Sequence, residues 1–358
     1  MPGIAGIISR KPSSILGAEL DSMLRLMRHE PFYGTGSYQN PEMGVYAGWA
    51  VHENSFSDCL PVCNRTKDVV LLFYGENLMD SRSAEACARR HPESTGFGNA
   101  EYLMQVYEED EESFLPKLNG LFCGLIVDAR RKRSIVFNDR FGMQRIYFHE
   151  TDDAFYFASE AKCLLKIRPE LRNISIQGLS DVLACGCVLG NESLFAGVSL
   201  LPGGSCWEAQ QGGPIRRRRY FDPGPYESLP AMGEEDWYPA LRATVRDVLP
   251  KYFVSKEPVA LSLTGGLDTR TMLANAPDPL PLRHCYTHSG GRRDCYDAVI
   301  AKQVADSCGL THHRLKMDGG FISDFPDLAW KTVFISDGCM DLNGAPSLYL
   351  HKKAREFC

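Results

Sequence analysis

The residues best suited to chemistry form one short run, Thr264-Gly-Gly-Leu-Asp-Thr269. It follows an apolar stretch, Pro258-Val-Ala-Leu-Ser-Leu263, and precedes a helical pattern predicted over Thr269 to Ala276. Without Cβ atoms, Gly265 and Gly266 let backbone N–H groups approach an anion closely. A helix N-terminus adds its dipole and its unpaired N–H groups. Thr264 and Thr269 offer hydroxyls to phosphate oxygens. Asp268 cannot bind an anion directly, but a carboxylate there can hold a Mg²⁺ that bridges phosphates. The chemistry expected is phosphate binding, which needs loop amides free to meet the ligand. The alternative is a plain strand-to-helix turn capped by Asp268.

The elements around this run must place it at the mouth of a sheet. Val259 to Leu263 reads as a buried parallel strand. A second strand is predicted near Arg283 to Thr287 and a helix over Tyr296 to Cys308. Strand, loop, helix, strand and helix in succession predict a parallel α/β sheet. Upstream, Trp237, Leu241, Val245 and Val248 recur at helical spacing, predicting an amphipathic helix over 234–252.

The first half has a different grammar. Strands are predicted over 4–9, 44–51, 69–74, 121–128, 134–138, 145–149 and 154–158. Helices are predicted over 17–27, 81–90 and 100–108. Strands joined by short turns outnumber helices, which predicts an α+β layered domain with antiparallel sheets. Arg216 to Arg219, four consecutive arginines, reads as a solvated linker strand; a phosphate-binding role for the run has no support in the sequence. The expected division is residues 1–212, a linker over 213–233, and a second domain over 234–358.

Composition sets the outer limits. A chain of 358 residues exceeds one ordinary core. Hydrophobic residues at 44% and charged residues at 23% suit a globular protein. A formal charge of -6 argues against a general nucleic-acid binder, which needs a basic surface. No signal peptide and no membrane span are legible, and the 13 cysteines read as free thiols in a reducing cytoplasm. The pairs Cys59/Cys63 and Cys185/Cys187 lack second pairs at zinc spacing.

The phosphate run resembles the Ser-Gly-Gly-x-Asp-Ser pyrophosphate loop of N-type ATP pyrophosphatases. In the first half, Gly3-Ile-Ala-Gly-Ile is similar to the opening of class II glutamine amidotransferases. Asn119-Gly-Leu-Phe, Asn138-Asp-Arg-Phe-Gly, Tyr147, Ala158-Ser-Glu-Ala-Lys and Leu201-Pro-Gly-Gly-Ser follow in the order found in asparagine synthetases. The resemblance to that family covers nearly the whole chain. It implies an Ntn-type αββα layered domain followed by a partial adenine nucleotide alpha hydrolase-like domain. It also implies ATP and Mg²⁺, with Thr264, Gly265, Gly266, Asp268 and Thr269 at the phosphates and Leu263 and Thr287 near adenine and ribose.

The same resemblance implies a glutaminase half without its chemistry. The family nucleophile is an N-terminal cysteine; here that position is Pro2. No arginine lies near Trp49 to His52, where the family clamps the glutamine carboxylate. Of the family's Asn-Gly-Glu, Gly75 and Glu76 match, but Tyr74 replaces the asparagine that stabilises the oxyanion. Asn99 stands where an aspartate grips the glutamine amine. The expected function is ATP-dependent amide formation through an acyl-adenylate, from a small carboxylate and an amine donor. Alternatives are a lactam-forming or peptide-cyclising relative, and a non-catalytic module. The family's second acidic Mg²⁺ element is absent before Cys358, so a truncated catalytic domain is expected. Its partner would be a second copy or a complementing C-terminal chain.

Overall fold

A computed structural model of the chain describes residues 3–78, 99–253, 258–289 and 295–357. Two compact units divide at Leu229 and Pro230.

In the first unit the strands are β1 (Gly3–Ser9), β2 (Tyr33–Asn40), β3 (Val45–His52), β4 (Val62–Cys63), β5 (Val69–Asn77) and β6 (Gly120–Asp128). They continue as β7 (Arg133–Asn138), β8 (Tyr147–Glu150), β9 (Ala154–Ala158), β10 (Ser199–Leu200), β11 (Ser205–Gln210) and β12 (Ile215–Arg219). Among the described residues they form two six-stranded sheets, ordered β10-β8-β9-β1-β3-β2 and β12-β11-β7-β6-β5-β4. Helices α1 (Leu16–Met27), α2 (Tyr102–Glu109), α3 (Ala161–Ile167) and α4 (Ile176–Cys185) belong to this unit.

Side-chain alternation builds the layers. Ile4 and Ile8 of β1 join Val70 and Leu72 of β5 in a core between the sheets. Ala5 and Ile7 point the other way, against Leu20, Met23 and Met27 of α1 and Leu164 of α3. Val69, Leu71 and Phe73 turn likewise toward Tyr102, Leu103 and Tyr107 of α2. A period of two on the central strands therefore buries both faces of each sheet there, giving helix, sheet, sheet, helix, while the edge strands β2 and β12 stay largely exposed. All the pairings within the two sheets are antiparallel. This is the layered Ntn-type fold expected. The strands β2, β10 and β11 carry too many polar or glycine positions to be legible. The helix expected over 81–90 lies outside the described residues. The arginine run is a solvated strand, as expected, and forms the edge strand β12 paired with β11.

The second unit contains α5 (Glu234–Val248), β13 (Ala260–Ser262), α6 (Leu267–Ala274), β14 (His284–Ser289), α7 (Tyr296–Ser307), β15 (Thr311–Lys316), α8 (Gly319–Ile335) and α9 (Ala345–Ala354). The three strands run parallel in the order β13-β14-β15. Leu261, Leu263 and Cys285 pack on one face with Leu273 of α6 and Ala301 of α7. Tyr286 and Leu315 pack on the other with Leu328 of α8 and Tyr349 of α9.

Two expectations change here. The strand predicted as buried is three residues long and pairs only with β14, leaving Ser262 exposed. Helix α5 forms at the predicted place, but its apolar stripe is not buried: Trp237 is 50% and Leu241 42% exposed. Spacing reports which residues share a helix face, and says nothing about whether another element covers it.

Candidate functional site

The run Thr264 to Thr269 joins the C-terminal end of β13 to the first turn of α6. Ligand sites in open parallel sheets lie at this end of the strands. The strand end is held from within. Leu263 is fully buried and its amide donates to the Tyr286 carbonyl at 2.8 Å. Its carbonyl accepts from the Thr287 hydroxyl at 2.5 Å. Thr287 is 2% exposed, and its oxygen also lies 2.8 Å from His312 Nε2 on β15. Leu263 and Thr287 thus act on the loop as fixtures: one hydroxyl ties all three strands together behind it.

The loop itself is partly closed. The Thr264 amide donates to Thr269 Oγ1 at 3.0 Å, and the Gly266 amide to Thr264 Oγ1 at 3.1 Å. The two hydroxyls lie 3.1 Å apart. The Gly265 amide donates to Asp297 Oδ1, at 3.1 Å, from the first turn of α7. The Gly265 and Gly266 amides, expected to meet an anion, are therefore bonded within the unit, as is that of Thr264. For Thr264 and Gly266 the reason is local, since a threonine hydroxyl sits within reach of each amide; for Gly265 the acceptor comes from α7, 32 positions on.

What stays open is the helix. No side chain caps α6, so the amides of Leu267, Asp268 and Thr269 have no intrahelical acceptor. Leu267 and Asp268 are exposed. Arg270 follows, its Nε donating to the Gly266 carbonyl at 3.1 Å. A uniform row of N–H groups, one guanidinium and two carboxylates, Asp268 and Asp297, meet around one exposed turn. Gly265 is required by close approach: a Cβ there would fall 2.9 Å from Asp297 Oδ1 and 3.3 Å from Ile300 Cβ. The sequence reading missed Asp297 and Arg270. Arg270 directly follows the run; the only sequence trace of Asp297 was an acid in the first turn of the helix after β14, and nothing in it pointed to Gly265.

In the first unit Pro2 lies outside the described residues. Gly75 sits in β5 with φ +113, and a Cβ would fall 2.0 Å from the Leu121 carbonyl oxygen. Its amide donates to Ser57 Oγ at 3.2 Å, and the same hydroxyl donates back to the Gly75 carbonyl at 3.2 Å. Ser57, missed in the sequence, is 1% exposed. Tyr74 packs against the core between the sheets, and burial raises its phenol far above the ordinary tyrosine range. Asn99 accepts from the Glu101 amide at 3.2 Å, ahead of α2, in a local turn. Glu76, beside Gly75 on β5, is exposed.

The other motif residues rivet the fold. Asp139, 1% exposed, accepts from the amides of Phe141, Met143 and Gln144 at 3.1, 3.0 and 2.8 Å. Asn138 accepts from the Ser205 amide and donates to the Leu201 carbonyl. Ser159 Oγ accepts from the Ile4 amide at 3.0 Å, fixing the start of β1. Burial alone would raise the Glu160 carboxyl, but His29 and Lys162, at 3.4 and 2.8 Å, outweigh it and hold the group below its usual range.

Among the described residues every cysteine is a free thiol, and no three His, Cys, Asp or Glu side chains gather as a metal site. No described helix is long and apolar enough to cross a membrane.

Residues 1–221 match the family described as glutamine amidotransferase domain, and residues 240–358 match asparagine synthase. Glutamine-hydrolyzing asparagine synthetase 1 of Bacillus subtilis (strain 168) is 23% identical, over 72% of this chain and 40% of that protein. Glutamine-hydrolyzing asparagine synthetase 2 of Oryza sativa subsp. japonica is 27% identical, over 87% and 48%. Amidase chyE of Penicillium rubens is 24% identical, over 71% and 40%. The chain spans about half the length of the curated relatives it matches. Glutamine phosphoribosylpyrophosphate amidotransferase from B. subtilis, solved with ADP and GMP, overlays with a TM-score of 0.44 at 12% identity, covering 87% of this chain and 65% of that one.

Proposed function

The chain belongs to the asparagine synthetase family, and on that premise we propose that it takes part in ATP-dependent amide-bond formation with an inactive glutaminase half. ATP transfers its adenylyl group to a substrate carboxylate as pyrophosphate leaves; an amine then attacks the acyl carbon, losing a proton, and AMP leaves. The observation that carries the reading is the uncapped N-terminus of α6 at the end of β13, carrying the run Thr264 to Thr269.

The residues fit a polyphosphate in a defined way. The amides of Leu267, Asp268 and Thr269 hold phosphate oxygens along the helix dipole. The Arg270 guanidinium adds a charge that is always present. Asp268 and Asp297, hard carboxylate donors beside the loop, would hold a Mg²⁺ if the Gly265 amide turned from Asp297 to a phosphate oxygen. Mg²⁺ neutralises charge on the phosphates when bound. Thr287 and Leu263 keep the strand end still while this happens.

Four features of the first unit support loss of glutamine hydrolysis. Pro2 has no thiol. No arginine occurs near Trp49 to His52. The Gly75 amide is already taken by Ser57, and Asn99 carries no charge for an amine. The amine is then free ammonia or a substrate amine.

A second reading, nucleotide held at the α6 N-terminus without turnover, is favoured because the amides of Thr264, Gly265 and Gly266 are already bonded to Thr269, Asp297 and Thr264 and so closed to phosphate oxygens. One assay separates them. Pyrophosphate release from Mg·ATP is measured on the full chain with aspartate and ammonia, then with aspartate and glutamine. Release with ammonia alone supports the ligase. Nucleotide binding without release supports the second reading, and no nucleotide binding refutes both.

A further inference from the structure

The four consecutive arginines have a setting that the amide-forming reading does not use. On antiparallel neighbours, directly opposed residues share a face. Trp207 opposes Arg217 and Ser205 opposes Arg219, so these four side chains lie on one side of the β11–β12 pair. They line a cleft of about 420 Å³, with Phe148 of β8 and Glu192 of the loop before β10 also on its walls. That volume is in the range of small-molecule sites.

Three features describe the missing occupant. The first is charge. Arg217 is answered by Glu150 at 2.8 Å, but Arg219 has no carboxylate partner among the described residues. Arg218 lies beside it on the cleft in a chain whose formal charge is -6. The second is a flat wall. The Arg217 guanidinium lies 4.7 Å from the Trp207 ring centroid and 5.9 Å from that of Phe148, a layered surface that suits a planar ring. The third is an orphan. Ser205 is fully buried, and its hydroxyl has no hydrogen-bond partner although the residue lines the cleft. Buried hydroxyls are normally satisfied, so this one marks a place for a ligand oxygen.

We propose that this cleft binds a phosphate monoester of an aromatic group. The phosphate lies between Arg219 and the Ser205 hydroxyl, the ring lies on the Arg217–Trp207 stack, and Glu192 accepts from a ligand hydroxyl or amine at the rim. Two charges on the ligand match the guanidiniums of Arg217 and Arg219, which share that face, better than one, and the guanidinium fork pairs phosphate oxygens bidentately. The cleft is built only from residues of the first unit, so it stands whether or not the loop at Thr264 binds nucleotide.

Calorimetric titration of the full chain with phenyl phosphate, inorganic phosphate and benzoate tests it. Phenyl phosphate binds tightest of the three. Arg219→Gln weakens it by about tenfold or more, the scale of one charge-assisted hydrogen bond, and Arg219→Lys recovers only part of the loss. Ser205→Ala weakens binding without lowering the melting temperature, because the hydroxyl is unpartnered in the free protein. The proposal is overturned if phenyl phosphate does not bind, if inorganic phosphate binds as tightly, or if Arg219→Gln leaves the affinity unchanged. Arg219 is exposed, so its variants remain folded and the result stays readable.

Discussion

The Asp297 carboxylate accepts a hydrogen bond from the Gly265 amide at 3.1 Å, and so occupies the position an anionic ligand would take. Asp297→Asn keeps an acceptor oxygen there and removes the charge. Without Mg²⁺ the variant should bind ATP about fivefold more tightly, since an exposed charge interaction is worth up to about 1 kcal/mol. With Mg²⁺ it should bind more weakly, because a metal ligand is lost. Calorimetry with and without a chelator reads both signs, and identical responses in the two conditions would remove Asp297 from the site.

Thr287→Val keeps the shape of the side chain and deletes the hydroxyl that joins β13, β14 and β15. The Leu263 carbonyl then loses its side-chain donor in a buried place. The expected cost is about 1–3 kcal/mol, seen as a lower melting temperature of the full chain. ATP affinity should fall too, because the loop loses its fixed strand end. An unchanged melting profile would mean that the three-strand tie contributes nothing.

How much of this was legible in the sequence depended on what each signal measures. Ile4 to Ile8 and Val69 to Phe73 disclosed their strands because a short uninterrupted apolar run is what a strand buried on both faces requires. The turn after β13 was legible from paired glycines between an apolar run and a helical pattern. Asp297 was not, because it is brought to Gly265 by the parallel register of β14 rather than by neighbourhood in sequence. Ser57 was silent for the same reason: its contact with Gly75 is made across 18 positions. The four arginines were legible as a solvated strand, but not the pairing with β11 that sets Arg217 against Trp207.

Ser57→Ala tests the first unit. The substitution strips both backbone groups of Gly75 of their shared partner, at an expected cost of about 1–3 kcal/mol in a denaturant titration. Glutamine hydrolysis should remain undetectable, since Pro2 still supplies no thiol. Ammonia release from glutamine by this variant would show that the serine was the only obstacle.

Asp318 gives a pH prediction. Its carboxylate accepts from Lys353 Nζ and from the Tyr349 hydroxyl, both at 2.5 Å, tying the start of α8 to α9. The Lys353 bond, then the Tyr349 bond, lowers its pKa from 3.8 to about 2. A carboxyl depressed on folding contributes fully above its unfolded pKa and loses that contribution as pH falls through the folded value. Acid titration should therefore weaken the second unit between about pH 4 and pH 2, and Asp318→Asn should flatten that decline. Parallel acid curves for the two proteins would contradict the tie.

The tie at Thr287 also dictates where a proton must be. A hydroxyl has one hydrogen, and here it goes to the Leu263 carbonyl, so the same oxygen must receive the Nε2 hydrogen of His312. Neutral His312 is thereby locked as the Nε2–H tautomer, leaving a bare, enclosed Nδ1 lone pair with no donor among the described residues. Charging the ring would put a second N–H into that enclosed spot, and burial already lowers the pKa of His312. The geometry of the loop is thus linked to one imidazole nitrogen staying unprotonated, a state that nitrogen chemical shifts report directly.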